Sequence, residues 1–493
     1  MIPRVRSPEL PQNYPWLNTD KLLSLKSLKG RIVILDFWTY CCINCLHILP
    51  DLKHLEQKYQ DIVTIIGVHS GKFDNEKEIA NIRQAILRYD IEHPVLVDSD
   101  FRVWENYTIK AWPTLIIIDP QGYVIGQFAG EGHLPVIENL IIQTLQNNPN
   151  NINFQKLEFT LEKQCHPLNT PLAFPGQVLA TQNGLFIADS GHNRIIMSTL
   201  EGEVVHIIGT GKPGCKDGNF QEVEFSNPQG MTYDDQHQII YIADTHNHVL
   251  RKVDIQNQVV ETIAGTGKQS QIIYPHGGQS LEIALNSPWD LVKVGNFLFI
   301  TMAGCHQIWQ MNLETNIIHT YAGSGAEGCV DGNFQECAFA QPSGMSTNGK
   351  ELFIADSEVS SIRAVEIAEN GQVRTICGSG FLFGFGNEDG IGNNVLLQHC
   401  LGVEYFDNNL WVADTYNNKI KLVNPNTGEC KQILLCSEIE PFSETSGFSA
   451  MCSYLYNRDT NNHLMHRMNF ENLKVMTMEF SGLCAPSMCW NHV

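Results

Sequence analysis

No stretch of the chain offers the roughly 18 consecutive apolar residues that a membrane-crossing helix requires, so no membrane partner is expected. The first residues, Met1-Ile2-Pro3-Arg4-Val5-Arg6, run into Pro8, Pro11 and Pro15. They carry neither the apolar core of a secretory signal nor the amphipathic, Ser-rich pattern of a transit peptide, and the expected location is cytoplasmic. Cations are scarce: 32 Lys and Arg stand against 53 Asp and Glu, a formal net charge of −21. Nucleic-acid binding depends on neutralising phosphates, and anionic membranes attract basic segments, so neither surface is an expected partner. Long polar tracts are also missing; 43% of the residues are hydrophobic and 17% charged, which suits a wholly globular chain. Its 493 residues allow two to four domains, or two if one is a large all-β unit.

Cysteine is present in an odd number, fifteen, mostly at irregular spacing. Without a secretory signal these read as reduced thiols, many of them buried as small hydrophobes. Cys41-Cys42-Ile43-Asn44-Cys45 is the one tight cluster. Zinc would need a second pair of matching spacing, and Cys484 and Cys489 are too far apart. Covalent haem would need His directly after the second cysteine, where Leu46 stands. No metal and no cofactor are expected.

The cluster lies in an alternating pattern. Strands are predicted over residues 31–37, 62–68 and 94–98, with a hairpin over 114–118 and 123–128; helices are predicted over 19–23, 46–59, 76–89, 101–107 and 135–145. Such alternation, closed by a hairpin, makes a three-layer α/β sandwich. Cys42 falls where a buried strand gives way to a helix, so free amides and the helix dipole favour its thiolate. Cys45 follows one helical turn later and can close a disulfide with it. Asp36, six residues before Cys42 in an apolar strand, is a candidate buried base for the Cys45 proton. Pro50 would kink the helix. Ala111-Trp112-Pro113-Thr114 precedes a strand, and a cis-proline there would present a backbone edge to a substrate chain. His69, Lys72 and His133 read as a solvated loop and a helix start.

Asp36-Phe37-Trp38, Cys42, Cys45, Pro50 and Trp112-Pro113-Thr114, in this order, resemble the thioredoxin fold in its peroxiredoxin/TlpA-like branch. Ile43-Asn44 stands where thioredoxins carry Gly-Pro, and Cys41 where they carry Trp. The resemblance implies catalytic roles for Cys42, Cys45, Asp36 and Pro113, with Cys41, Trp38, Trp112 and Thr114 as neighbours.

Residues 146–151 are polar, contain Pro149 and read as a linker. Beyond them a strand–Asp-turn–strand unit recurs, as in Phe186-Ile187-Ala188-Asp189-Ser190 and Trp411-Val412-Ala413-Asp414-Thr415. Its turns, at Asp189, Asp244, Met302, Asp356, Asp414 and Asp459, are 45–58 residues apart, a spacing that means six propeller blades. Each Asp should accept turn amides, with a nearby Asn capping the same turn. Asp217-Gly218-Asn219 and Asp331-Gly332-Asn333 read as inter-blade turns, lacking the bidentate Glu of a calcium loop. Residues 156–161 are expected to close the ring by pairing with residues 473–480, leaving no exposed edge.

Asn462-His463-Leu464 and Asn247-His248-Val249 resemble NHL repeats, with Asn193-Arg194-Ile195 and Asn418-Lys419-Ile420 as looser copies. Together with Cys41-Cys42-Ile43-Asn44-Cys45 and Gly67-Val68-His69-Ser70-Gly71-Lys72-Phe73-Asp74, the chain resembles the NHL repeat-containing protein 2 family, as a bacterial-type relative without the animal members' further C-terminal domain. The expectation is a thioredoxin-like domain over residues 1–150 and a six-bladed NHL propeller over 155–493. Two functions remain open. One is a thiol–disulfide oxidoreductase acting on a protein with a reducible disulfide, the propeller holding a protein or peptide. The other is a non-catalytic scaffold with the thioredoxin-like unit as a docking module.

Overall fold

The computed structural model describes residues 4–148, 150–270, 272, 277–436 and 441–486. Pro149 and Cys489 lie outside the described residues. The chain forms two compact units, Met1–Leu168 and Asn169–Val493.

The first unit is built on a seven-stranded sheet. Its strands are β1 (Val5–Arg6), β2 (Trp16–Leu17), β3 (Ile32–Trp38), β4 (Val63–His69), β5 (Val95–Val97), β6 (Thr114–Ile118) and β7 (Tyr123–Ala129), in the order β1-β7-β6-β3-β4-β5-β2. The central strands β3 and β4 run parallel, and β6 lies antiparallel to β3. Every residue of β3 and β4 is buried, as their near-continuous apolar runs require. Helices α1 (Ile43–His47), α2 (Leu49–Lys58), α3 (Ile79–Arg88), α4 (Arg102–Asn106), α5 (Leu134–Asn147) and α6 (Glu162–Cys165) complete the unit. Ile32 and Ile34 on one face of β3 pack with Leu52 and Leu55 of α2 and Ile137 and Ile141 of α5. Val33, Leu35 and Phe37 on the other face pack with Val103 of α4 and with Leu10, Leu23 and Leu25.

Two helix expectations change. Residues 19–23 form no helix; Leu23 and Leu25 are instead drawn into the core beneath β3. The helix expected over 46–59 is two helices meeting at Ile48, with Pro50 in the first turn of α2, where its missing N–H leaves no bond unmade.

The second unit comprises six antiparallel sheets. Their innermost strands, Gln177–Thr181, Pro228–Asp234, Pro288–Val294, Pro342–Thr347, Gly402–Phe406 and Thr445–Met451, adjoin in sequence, and the last adjoins the first. That is a closed six-bladed propeller. In five blades the second strand ends in a buried Asp whose carboxylate accepts a backbone amide 16–18 residues upstream, such as Ala340 N–H to Asp356 at 2.7 Å. The other carboxylate oxygen binds the turn: Asn247, Asn417 and Asn462 each donate to it at 2.8 Å. The next residue is left-handed, with φ of 53° at His248 and 59° at His463. The looser copies are therefore shifted by one. His192 and Asn417 hold the capping position, while Asn193 and Asn418 are the left-handed residues. Arg251 and Arg363 tie Asp244 and Asp356 to Asp217 and Asp331 at 2.9–3.0 Å, so the Asp-Gly-Asn segments serve as ion-paired outer strands.

Blade three keeps the same turn, Ala303–Cys305. Met302 replaces the Asp, and Trp309 stands in the register of Arg251 and Arg363, seven residues after the turn position. Both members of a buried ion pair have been exchanged for apolar groups, a change that leaves no charge uncompensated.

Residues 156–161 are not a strand and close nothing in the ring. Leu157 and Phe159 pack on the first unit's core, and Lys21 donates to the Glu158 carbonyl at 2.8 Å. The propeller closes from its other end. Val475–Thr477 completes blade six, Ser481 then bridges Glu203 of blade one, and Met478 and Leu483 are buried with Val178, Ile187 and Ile196. Among the described residues no helix is long and apolar enough to cross a membrane. Met478→Ala should destabilise the propeller by about 2–5 kcal/mol, the loss for a large core side chain. Differential scanning calorimetry of the full chain should show that transition lowered and the thioredoxin-like one unmoved.

Candidate active site

The buried strand β3 ends at Trp38, and the chain turns through Thr39, Tyr40 and Cys41 into α1. The turn is fixed by Glu76, a fully buried carboxylate from the segment after β4. It accepts the Thr39 hydroxyl at 2.7 Å, the Cys41 backbone N–H at 2.9 Å and the Phe73 N–H at 3.0 Å. Cys42 thereby occupies the N-cap of α1, half-buried, and its carbonyl accepts the Cys45 N–H at 3.0 Å. Cys42 and Cys45 are both free thiols, whereas Cys484 is disulfide-bonded, an exception to the reduced state expected from composition.

Cys45 is fully buried beneath Cys42. Burial first, then its hydrogen bond to Cys42 and the charges of Cys42 and Asp36, push the Cys45 thiol well above its ordinary range. It therefore keeps its proton at neutral pH, and something must remove that proton before Cys45 can react. Asp36 lies two residues before the end of β3, on the face covered by α2, with both carboxylate oxygens buried and without a hydrogen-bond partner among the described residues. Burial raises its pKa to about 7. A carboxylate so placed is neutral or charged according to small changes in pH, as a base operating near neutrality must be.

Trp38, on the same face, meets His69 edge-on at 4.9 Å, and Tyr40 stacks on that ring at 5.5 Å. Burial lowers the His69 pKa to about 3, so the ring is a neutral wall. This corrects the solvated-loop reading of His69, which ends β4, and of Lys72, which is buried over Phe73. His133 is the N-cap of α5, as its helix-start reading requires.

The Trp112–Pro113 peptide is cis. Thr114 pairs with Phe37 across β6 and β3, which sets Pro113 beside the end of the strand that leads to the cysteines. The Thr114 hydroxyl donates to the Ala111 carbonyl at 2.7 Å, and Trp112 packs on Trp104 at 4.5 Å. Cys42, Cys45, Asp36, Trp38, Pro113 and Thr114 are thus gathered around the ends of β3 and β6, with Trp112 turned toward α4. Glu76 was missed by sequence reasoning, as were His93 and Glu56, which stand 3.3 Å apart beneath the same face. A Glu at the start of one predicted helix, a Glu inside another and a His before Pro94 carry no motif.

A thioredoxin-like family model matches residues 30–124. Protein SUPPRESSOR OF QUENCHING 1, chloroplastic, of Arabidopsis thaliana is 41% identical over 512 residues, covering 97% of this chain and 48% of that protein. NHL repeat-containing protein 2 of Bos taurus is 39% identical over 519 residues, covering 94% of this chain and 70% of that protein. Thiol-disulfide oxidoreductase ResA of Bacillus cereus is 33% identical over 112 residues, covering 22% of this chain and 62% of that protein. The chain spans about half the length of the plant relative. Its similarity to the bovine protein runs through both units, and on that ground the chain belongs to the NHL repeat-containing protein 2 family.

Proposed function

We propose that the chain is a thiol–disulfide oxidoreductase acting on protein disulfides, with Cys42 as nucleophile, Cys45 as resolving thiol and Asp36 as base. The observation that carries this reading is Cys45 buried beneath Cys42, its thiol pushed up by burial, within the field of an Asp36 carboxylate that has no hydrogen-bond partner among the described residues. The Cys42 thiolate attacks one sulfur of a substrate disulfide. A mixed disulfide forms and one substrate thiolate leaves. Asp36 takes the Cys45 proton, and the Cys45 thiolate attacks the Cys42 sulfur. The Cys42–Cys45 disulfide forms, the second substrate sulfur departs, and the substrate has gained two electrons. An external dithiol must reduce the pair for another turnover. Pro113 is where a substrate backbone would approach, with Thr114 and Trp112 holding it in place through Ala111 and Trp104. The activity named for the Bacillus cereus relative supports this chemistry.

The propeller would hold a protein or peptide, and the many free thiols among the described residues favour a reducing compartment such as the cytoplasm. A second reading is a binding protein whose thioredoxin-like unit only docks; the partial burial of Cys42 favours it. One experiment separates the two. Cys45→Ser should accumulate a mixed disulfide with substrate proteins, visible by mass spectrometry, and Cys42→Ser should not. Equal trapping by both variants, or none, would favour the binding protein.

Asp36 makes a second prediction. Its folded pKa of about 7 lies above the unfolded value of about 3.9, so the folded state gains from the bound proton. That gain is complete below about pH 4 and is lost as pH rises through 7. Asp36→Asn should therefore melt above the parent at pH 8, by at most about 4 kcal/mol, with the gap closing by pH 4. The same variant should slow resolution of a preformed mixed disulfide by about 100-fold or more at neutral pH. A variant that resolves at the parental rate would remove Asp36 from the mechanism.

A further inference from the structure

A base buried as deeply as Asp36 poses a problem of its own. Once it has taken the Cys45 proton, the proton must leave before the next cycle, yet Asp36 has no exposed surface. Among the described residues, the groups beside Gly67 offer an exit. Gly67 of β4 is the register partner of Asp36, so both face the same side of the sheet. Because Gly67 has no side chain, two ring nitrogens crowd the space above it. A Cβ placed there would lie 2.9 Å from Trp38 Nε1 and 3.3 Å from His93 Nε2. Neither nitrogen has a hydrogen-bond partner among the described residues, nor does either Asp36 oxygen. Two buried ring nitrogens over one glycine, and the carboxylate of its register partner on the same side of the sheet, therefore leave their bonding capacity unused, an arrangement that is costly unless it serves a purpose.

His93 also reaches outward. Its Nδ1 lies 3.3 Å from Glu56 Oε1, in ion-pair reach though off the line of a hydrogen bond, and the Glu56 side chain is 23% exposed. The backbone that carries the ring is held by Asn18, whose Nδ2 donates to the His93 carbonyl at 2.9 Å and to the Ile91 carbonyl at 2.7 Å. Besides Asp36 and Glu56, the nearby charge is Glu92, which is engaged by Lys163 at 2.5 Å on the surface.

We infer that His93 and Glu56 form a proton relay that carries the Cys45 proton from Asp36 to solvent, an inference that rests on the reading of Asp36 as the base. The Asp36 carboxyl passes its proton to His93 Nε2, directly or through one water. The imidazolium releases the proton on Nδ1 to the Glu56 carboxylate, which gives it to solvent. Asp36 is again a carboxylate, His93 is neutral with its proton now on Nε2, and exchange of that proton back to Nδ1 resets the ring for the next cycle. Burial alone would lower the His93 pKa, but the Glu56 and Asp36 carboxylates outweigh it and hold the ring above its ordinary value, ready to accept the proton. Neither residue touches the reacting sulfurs; both are positioning and transfer groups.

The test uses the full chain loaded at Cys42 with thionitrobenzoate, whose release by Cys45 is followed by absorbance between pH 5.5 and 9. Glu56→Gln and His93→Gln should each slow release by about tenfold at neutral pH. In His93→Gln the acidic limb of the pH profile should also move to higher pH, because His93 lowers the pKa of Asp36 and the variant removes that influence. Asp36→Asn should abolish that limb. Parental rates and profiles in Glu56→Gln and His93→Gln, with Asp36→Asn still slow, would overturn the relay and leave Asp36 as the base. If Asp36→Asn were also unaffected, both readings would fall. Should His93→Gln not fold, Glu56→Gln at its partly exposed site decides the matter alone.

Discussion

The first unit is organised around a carboxylate in the wrong solvent. Asp36 sits in a central strand whose other residues are all apolar, and among the described residues no hydrogen bond compensates for its burial. An uncompensated buried charge is among the more expensive features a fold can carry, which is why the group's pKa moves to about 7 rather than remaining near 4. The same desolvation keeps the Cys45 proton in place. Both acids therefore hold their protons to higher pH than they would in water, and Asp36 becomes a base suited to neutral pH. Glu76 performs the complementary task. It accepts two hydrogen bonds from the turn between β3 and α1 and a third from Phe73 in its own segment, so the turn that presents the Cys42 thiol is tied to the segment after β4.

The propeller uses buried carboxylates in the opposite way. Asp244 and Asp356 are as inaccessible as Asp36, and burial raises them also, to about 6 and about 7. Each, however, is fully engaged by a backbone amide and a buried arginine, and Asp244 also by Asn247. These are structural groups that fix the turn at each blade's edge. Blade three confirms the logic by exception: where Met302 replaces the acid, Trp309 replaces the base, and the turn persists with its indole N–H donating to Gln307 at 3.0 Å. Within one chain, a buried Asp with all its partners marks a scaffold and a buried Asp with none marks the candidate site.

Much of this was legible in the sequence because it is local. Asp36-Phe37-Trp38 followed by Cys42 and Cys45 reads along one strand and one turn, and the propeller turns repeat at a regular interval. What escaped notice depends on contacts between distant segments. Glu76 meets Cys41 only after β3 and β4 have paired, and His93 comes in over the register partner of Asp36 only because Gly67 has no side chain. The one-residue shift in the looser repeats has a similar origin. His192 can replace Asn because its Nδ1 lies 3.0 Å from Asp189, a substitution that letter-by-letter matching does not see. The apolar alternation at residues 156–161 has the period of a strand, but its apolar side chains found their partners in the preceding core rather than in a sheet.

The most direct test of the account is the redox equilibrium of the Cys42–Cys45 pair in the full chain, measured by alkylation and mass spectrometry across buffers of defined glutathione ratio. The account predicts one reversible two-electron transition between two free thiols and a Cys42–Cys45 disulfide. A Cys42 that remains reduced, or that pairs with glutathione without ever forming the bond to Cys45, would contradict it.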